Sequence, residues 1–463
     1  MKESSKRRKP GEEEDDGQGS NTNKDRLSSL PDSLLCHILS FLPTKTSVCT
    51  MSLVSHRYLH LWKHLQDFDF YDVYYPDSDE EAENFKDFAI FVNAVLSMRS
   101  TRDIRKMRLS CGQSQLDSFA ERSVDTWIRT AVGAHLEDLH LALFSSEGEG
   151  FKLPLPVLSC TNLLSISLCG EIFVELEQSW HVCLPSLKTL QLEIGNVDVN
   201  SVDILLSACP ILETLELSFS TESLAKLRVP SSLKSFKFTI ENDTEVCLEI
   251  DTPGLKYLSL TNITFGNATS IGNLHNVEEA YLDASSESES VDPLLTLLQA
   301  LSGIKRLVFR CYAAKRRLLG TEPIIDFPKM HFSEFRCLLH LELILPTFDP
   351  FLYDVLQKCP ILQALIIHND KDTSPVKHSL TAKPKSVPNC LVSHLTYIHF
   401  KGYTGYWHEK EFAGYVLQYG LVLKTMLISG FLSNESKKST KYHYRRKFSN
   451  MPRGSTVCQV KFD

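Results

Sequence analysis

A chain of 463 residues, 43% hydrophobic and 23% charged, has an ordinary globular composition and the length for about two to four domains. Its formal net charge of -8 speaks against nucleic-acid binding, which usually brings a basic surplus or stripe. The first residues lack the apolar core of a secretory leader, and no run reaches the roughly 18 to 20 apolar residues that span a bilayer, so no membrane association is expected.

Residues 1–25 are charged and rich in Gly, Ser and Asn, which predicts a disordered tail. Within it, Lys6-Arg7-Arg8-Lys9 reads either as a nuclear import signal or as a solvated charged stretch, and an acidic run from Glu12 to Asp16 follows. From Leu27 the character changes. Leu30, Leu34, Leu35, Ile38, Leu39 and Leu42 fall on one side of an amphipathic helix. Pro31 is tolerated in its first turn, Asp32 suits the positive end of its dipole, and Pro43 stops it. Thr44 is placed to cap a second helix carrying Val48 and Met51, and Ser55 a third carrying Tyr58, Leu59, Leu61, Trp62 and Leu65. Three short helices over 27–66 hold more apolar surface than about forty residues bury alone, which points to a partner. An acidic loop, Asp77 to Glu83, precedes an amphipathic helix predicted over Phe85–Met98.

A repeat then begins, spaced apolar-x-x-apolar-x-apolar. It runs through Ile104-Met107-Leu109, Leu136-Leu139-Leu141, Leu163-Ile166-Leu168 and Leu187-Leu190-Leu192. It continues in Leu212-Leu215-Leu217, Leu233-Phe236-Phe238, Leu255-Leu258-Leu260 and Val277-Ala280-Leu282. It ends with Ile304-Leu307-Phe309, Leu338-Leu341-Leu343, Leu362-Leu365-Ile367 and Leu395-Ile398-Phe400. The period is irregular, roughly 21 to 34 residues and mostly near 24, which is that of leucine-rich repeats. Residues two apart share one face of a strand, so each unit offers a short strand that buries its apolar face only when stacked. Val202–Ala208 and Phe351–Lys358 read as helical returns, each stopped by a Cys-Pro step. Beyond about residue 385, Gly402 to Trp407 is turn-rich and aromatic, Lys410–Tyr419 reads as a helix, Leu423–Ile428 and Val457–Phe462 read as strands, and Lys437–Lys447 is basic.

Three stretches resemble a known family. Leu30-Pro31-Asp32, Leu34-Leu35, Ile38 to Pro43, Thr44-Lys45, Ser52 to Ser55, Arg57 and Leu61-Trp62 resemble the F-box, with Tyr58 where the related plant proteins usually carry Trp. The Cys-Pro-x-Leu steps resemble plant F-box/LRR repeats. Pro384, Val387-Pro388, Cys390-Leu391, Leu395, Gly402-Tyr403, Glu409, Leu423-Lys424, Met426 and Cys458-Gln459-Val460 resemble the FBD domain, without the Trp that usually precedes its Pro. The resemblance implies an α/β fold: a small three-helix F-box (26–72), an irregular leucine-rich-repeat solenoid (100–383) and a C-terminal FBD domain (384–463). It also implies a substrate-recognition subunit of an SCF-type cullin–RING ubiquitin ligase. Leu30, Pro31, Leu34, Ile38, Leu39, Leu42 and Pro43 would lie against a Skp-type adaptor, and through it a cullin, with Trp62 closing the module. The alternative is a protein-binding scaffold that works outside a ligase.

No catalytic pattern stands out. GxSxG, P-loop and HExxH motifs are absent, and His408-Glu409 lacks the second His of a zinc helix. The thirteen cysteines are scattered, with no CxxC pair, and Cys36, Cys49, Cys209 and Cys359 sit in apolar surroundings. They are expected to be buried, reduced thiols of a cytoplasmic or nuclear protein, and neither metal nor cofactor is expected. The target protein is not readable. Its candidate contacts are the longer gaps near Ser285–Ser290 and Ala313–Thr321, the second with basic Lys315-Arg316-Arg317.

Overall fold

A computed structural model describes residues 27, 29–54, 56–72, 81–101, 103–111, 118–144, 150–176, 181–195, 199–220, 226–242, 244–266, 268–286, 292–311, 334–345, 351–369, 386–430 and 445–463. Residues 1–25, the gap near Ala313–Thr321 and most of the basic run 437–447 lie outside them, as does Ser55.

Every predicted repeat forms a strand. The residues of all twelve apolar triplets are no more than 3% exposed. The first residue of each enters from the preceding turn, and the second and third point inward from the strand, as the pleat dictates. Among the described residues, eighteen strands join in one sheet, and fifteen of them make a single all-parallel ladder in chain order. Its register never slips the motif: Leu139 stands beside Ile166, Leu190 beside Leu215, and Leu365 beside Ile398. Parallel strands need a crossover, and the described returns supply it on the apolar side of the sheet.

The ladder outruns the predicted repeat at both ends. Asp67–Tyr71 is its first strand, with Phe68 beside Met107 and Phe70 beside Leu109. These residues lie inside the 26–72 span expected to be F-box, and Leu65-Phe68-Phe70 has the repeat's own spacing. At the other end, Thr425–Ser429 and Gln459–Phe462 add the last two strands, so the C-terminal segment continues the same sheet.

The crossover layer mixes types. Helices serve many returns: Glu81–Met98 follows the first strand, and Ser118–Ala131, Val199–Ser207, Asp292–Ala300 and Phe351–Lys358 are among the later ones. Between Val199–Ser207 and Asp292–Ala300 the returns are instead the short strands Lys226–Arg228, Glu245–Ile250 and Ser270–Ile271, which form their own parallel ladder. Val246, Leu248 and Ile250 alternate inward there at 1% exposure or less. Two buried thiols meet this layer: Cys209, of the first Cys-Pro step, donates to the Leu205 carbonyl at 3.1 Å, and Cys390, which no Pro follows, donates to the Leu356 carbonyl at 3.2 Å. Each thiol thus meets a carbonyl in the last turn of a helix.

Candidate functional site

The N-terminal module is built on the helix Asp32–Leu39, a π-helical turn Thr46–Thr50, and the short helices Met51–Val54 and Tyr58–Leu61, with a final turn Trp62–His64. Pro31 stands just before the first helix, where its carbonyl accepts the Leu34 and Leu35 N–H groups at 3.1 Å. Arg57 ties the two ends of the module together. Its guanidinium donates to the Leu30 carbonyl at 2.6 Å and to the Asp32 carboxylate at the helix start. Ser47 donates to the Leu39 carbonyl at 3.0 Å beneath them.

The helical period of 3.6 then sorts the apolar side chains. Leu35 and Leu39 turn inward with Tyr58, Leu61, Trp62 and Leu65, all at most 5% exposed. Leu34 and Ile38, one residue earlier on each turn, face solvent at 49% and 40%. Of the eight residues expected to meet an adaptor, Pro31, Leu34 and Ile38 are exposed, and Leu30, Leu42 and Pro43 are half-buried at the rim. Leu39 and Trp62 require a correction. At 1% and 4% exposure they have no surface to offer a docked protein, and they support the exposed residues from inside. The structure adds Phe41, Leu53, Val54 and Leu59, all exposed apolar side chains that helical periodicity alone does not single out. Tyr58, in the place of the usual Trp, belongs to the interior, so its effect is on packing beneath the surface.

Thr44 does not cap the second helix. Its hydroxyl, 1% exposed, accepts the Asp69 N–H at 2.8 Å from the first strand of the sheet. Strand neighbours Gln66 and Asp72 bond toward the second strand, so Asp69 faces the open edge, and the helical module closes that edge.

At the far end, the helix predicted from Lys410 begins earlier, at Trp407. Tyr406 is its cap, and Glu409 completes a capping box. Glu409 is 1% exposed and accepts the N–H groups of Gly405 (2.6 Å), Thr404 (3.1 Å) and Tyr406 (3.2 Å), with the Thr404 hydroxyl at 2.9 Å. Burial raises its pKa, opposed by these donors. The turn it holds needs positive φ at Gly402 (+71°) and Gly405 (+80°), and a Cβ on Gly402 would stand 2.8 Å from the Asn369 carbonyl. Glu409 of the His-Glu pair is therefore a turn clamp. Among the described residues no three His, Cys, Asp or Glu side chains gather to hold a metal ion, and no helix is long and apolar enough to cross a membrane.

The open face of the main sheet is the other large feature. Its middle row is polar through Asp69, Arg108, His140, Gln191 and Lys237. From the ninth strand, Glu279–Ser286, it becomes mixed: Tyr281, Val308, Glu342, Ile366, His399 and Leu427 stand side by side.

Comparison with known proteins assigns the parts. Residues 27–69 match the F-box domain, 124–281 match the LRR repeats of the FBD-associated F-box protein At5g56370, and 383–428 match the FBD model. The F-box/FBD/LRR-repeat protein At4g00160 of Arabidopsis thaliana is 31% identical over 458 residues, which cover 95% of this chain and 94% of that protein. The chain belongs to the plant F-box/FBD/LRR-repeat family. Its F-box/FBD/LRR-repeat relative At5g56420, also from Arabidopsis thaliana, is 29% identical over 95% of this chain and 99% of its own length. The FBD-associated F-box protein At5g56370 from the same plant is 28% identical over 95% and 100%. F-box proteins with leucine-rich repeats are generally substrate-recognition subunits of SCF ubiquitin ligases, and these families are typically non-catalytic.

Proposed function

We propose that this F-box/FBD/LRR-repeat protein is the substrate-recognition subunit of an SCF-type ubiquitin ligase. It docks a Skp-type adaptor, and through it a cullin, by the exposed face of the N-terminal helices, and it holds a target protein on the repeat array. The observation that carries the reading is the division of the module's apolar residues. Leu35, Leu39, Leu61 and Trp62 suffice for an interior, while Leu34, Ile38, Phe41, Leu53, Val54 and Leu59 are left in water. So many exposed apolar side chains on a unit of about forty residues mark a protein-binding surface. Leu30, Pro31, Leu42 and Pro43 belong to its rim.

The mechanism is templating. Chemistry belongs to other subunits, and this chain raises the effective concentration of a target near the conjugating enzyme. The reading needs no cofactor, and it places the protein where such ligases work, in the cytoplasm or nucleus. Co-expression of the full chain with a Skp-type adaptor and a cullin tests it. Recovery of both supports the ligase subunit. Recovery of the adaptor without cullin, or of neither with a folded chain, contradicts the ligase subunit and favours a scaffold outside a ligase.

A further inference from the structure

The open face of the sheet carries one built depression, of about 320 Å³, over strands 257–265 to 364–369. Its origin is visible in the register. One row runs Glu279, Arg306, His340, Ala364, Tyr397, and Ala364 is the only small side chain in it. In the next row Val308 and Ile366 give an apolar floor, and Tyr257 and Tyr281 form the wall on the N-terminal side. The surrounding carboxylates each meet a cation. Glu279 lies 3.4 Å from Arg306, Asp283 lies 3.8 Å from Arg310, and Glu342 lies 2.6 Å from Lys401. Burial and the charge of Arg306 lower the pKa of His340, opposed by Glu279.

We infer that this depression is the anchor site for the target: it takes one large uncharged side chain, Leu, Met or Phe, from an extended segment whose flanking residues are also uncharged. The inference rests on the repeats being the target-binding part. Charge matching decides the occupant. A charged residue arriving here would lose its hydration and find every counter-charge already engaged within the sheet. An apolar side chain covers Val308 and Ile366, and the Tyr257, Tyr281 and His340 rim supplies polar edges for the peptide backbone, the arrangement of a binding hot spot.

A random-peptide display library, selected on the full chain co-purified with its Skp-type adaptor, tests this. Enriched peptides are expected to share a single Leu, Met or Phe with uncharged neighbours. A synthetic peptide from the selection should bind at least roughly tenfold more weakly when that residue becomes Ala, and equally so to the A364W and V308E proteins. Thermal unfolding of both variants serves as the folding control, and the peptide-side substitution reads the anchor without altering the protein. Enrichment of acidic or basic peptides, binding indifferent to all three changes, or no enrichment over A364W overturns the inference. Enrichment only after deletion of residues 312–333 would assign the depression to the chain itself and also overturn it. Adaptor recovery is scored in the same preparation, so failure of the anchor site is distinct from failure of the ligase reading.

Discussion

Glu409 shows how a residue that invites a chemical reading can turn out to be a clamp. A carboxylate 1% exposed survives in the interior because the N–H groups of three successive residues and one hydroxyl point at it. Glu409→Ala orphans those donors and should cost roughly 3 kcal/mol, read as a lower denaturation midpoint, since each buried unpaired group costs about 1 to 3 kcal/mol. The family motif marked Glu409, but its task was hidden, because the donors sit on a turn whose shape depends on Gly402 and Gly405. The cysteines were legible in part: Cys209 and Cys359 are buried, as their apolar surroundings suggest, whereas Cys49 is exposed and Cys36 half-buried. Burial pushes the thiols of Cys209 and Cys390 up to about 12, while Cys49 and Cys337 are exposed. Alkylation of the native protein at pH 8, followed by mass spectrometry, should therefore label Cys49 and Cys337 and spare Cys209 and Cys390 until denaturant is added.

Among the elements, the strands were readable and the joins were not. Twelve triplets announced twelve strands because the motif places two residues on one face and a third at the turn. Leu65-Phe68-Phe70 has the same spacing, but it follows directly on the helices and was assigned to them. The short return strands were missed although Val246, Leu248 and Ile250 alternate, since a three-residue strand such as Lys226–Arg228 carries too few positions to show a period. Thr44 was read as a helix cap by its residue type, whereas its hydroxyl meets a strand 25 residues away, which no local pattern reveals. Thr44→Ala should leave the Asp69 N–H without an acceptor and cost about 1 to 3 kcal/mol. Amide exchange is the readout: Asp69 should lose protection, while Phe68 and Phe70, whose amides face the second strand, keep theirs.

At the scale of the whole molecule, the protein is one parallel ladder with a closed beginning and a distinct end. The helical module covers the first strand, and the C-terminal residues bring in the last, with Phe448 packed against Phe462 at 5.7 Å. Deleting residues 445–463 would remove the last strand and the buried Phe448, which packs on Tyr403 at 6.0 Å, and should lower the denaturation midpoint. The repeat architecture followed from sequence period alone. The choice of partner did not, because it depends on which apolar residues stay in water once the module has formed. Leu34 and Leu35 are neighbours in sequence with opposite fates, one at 49% exposure and one at 1%. That division carries the central claim, and the affinity of the full chain for a Skp-type adaptor measures it most directly. A Leu34→Asp/Ile38→Asp double variant should bind at least roughly thirtyfold more weakly, as for loss of a binding hot spot, with its melting temperature unchanged. Undiminished affinity in that variant, or no binding by the folded wild-type chain, would contradict the account.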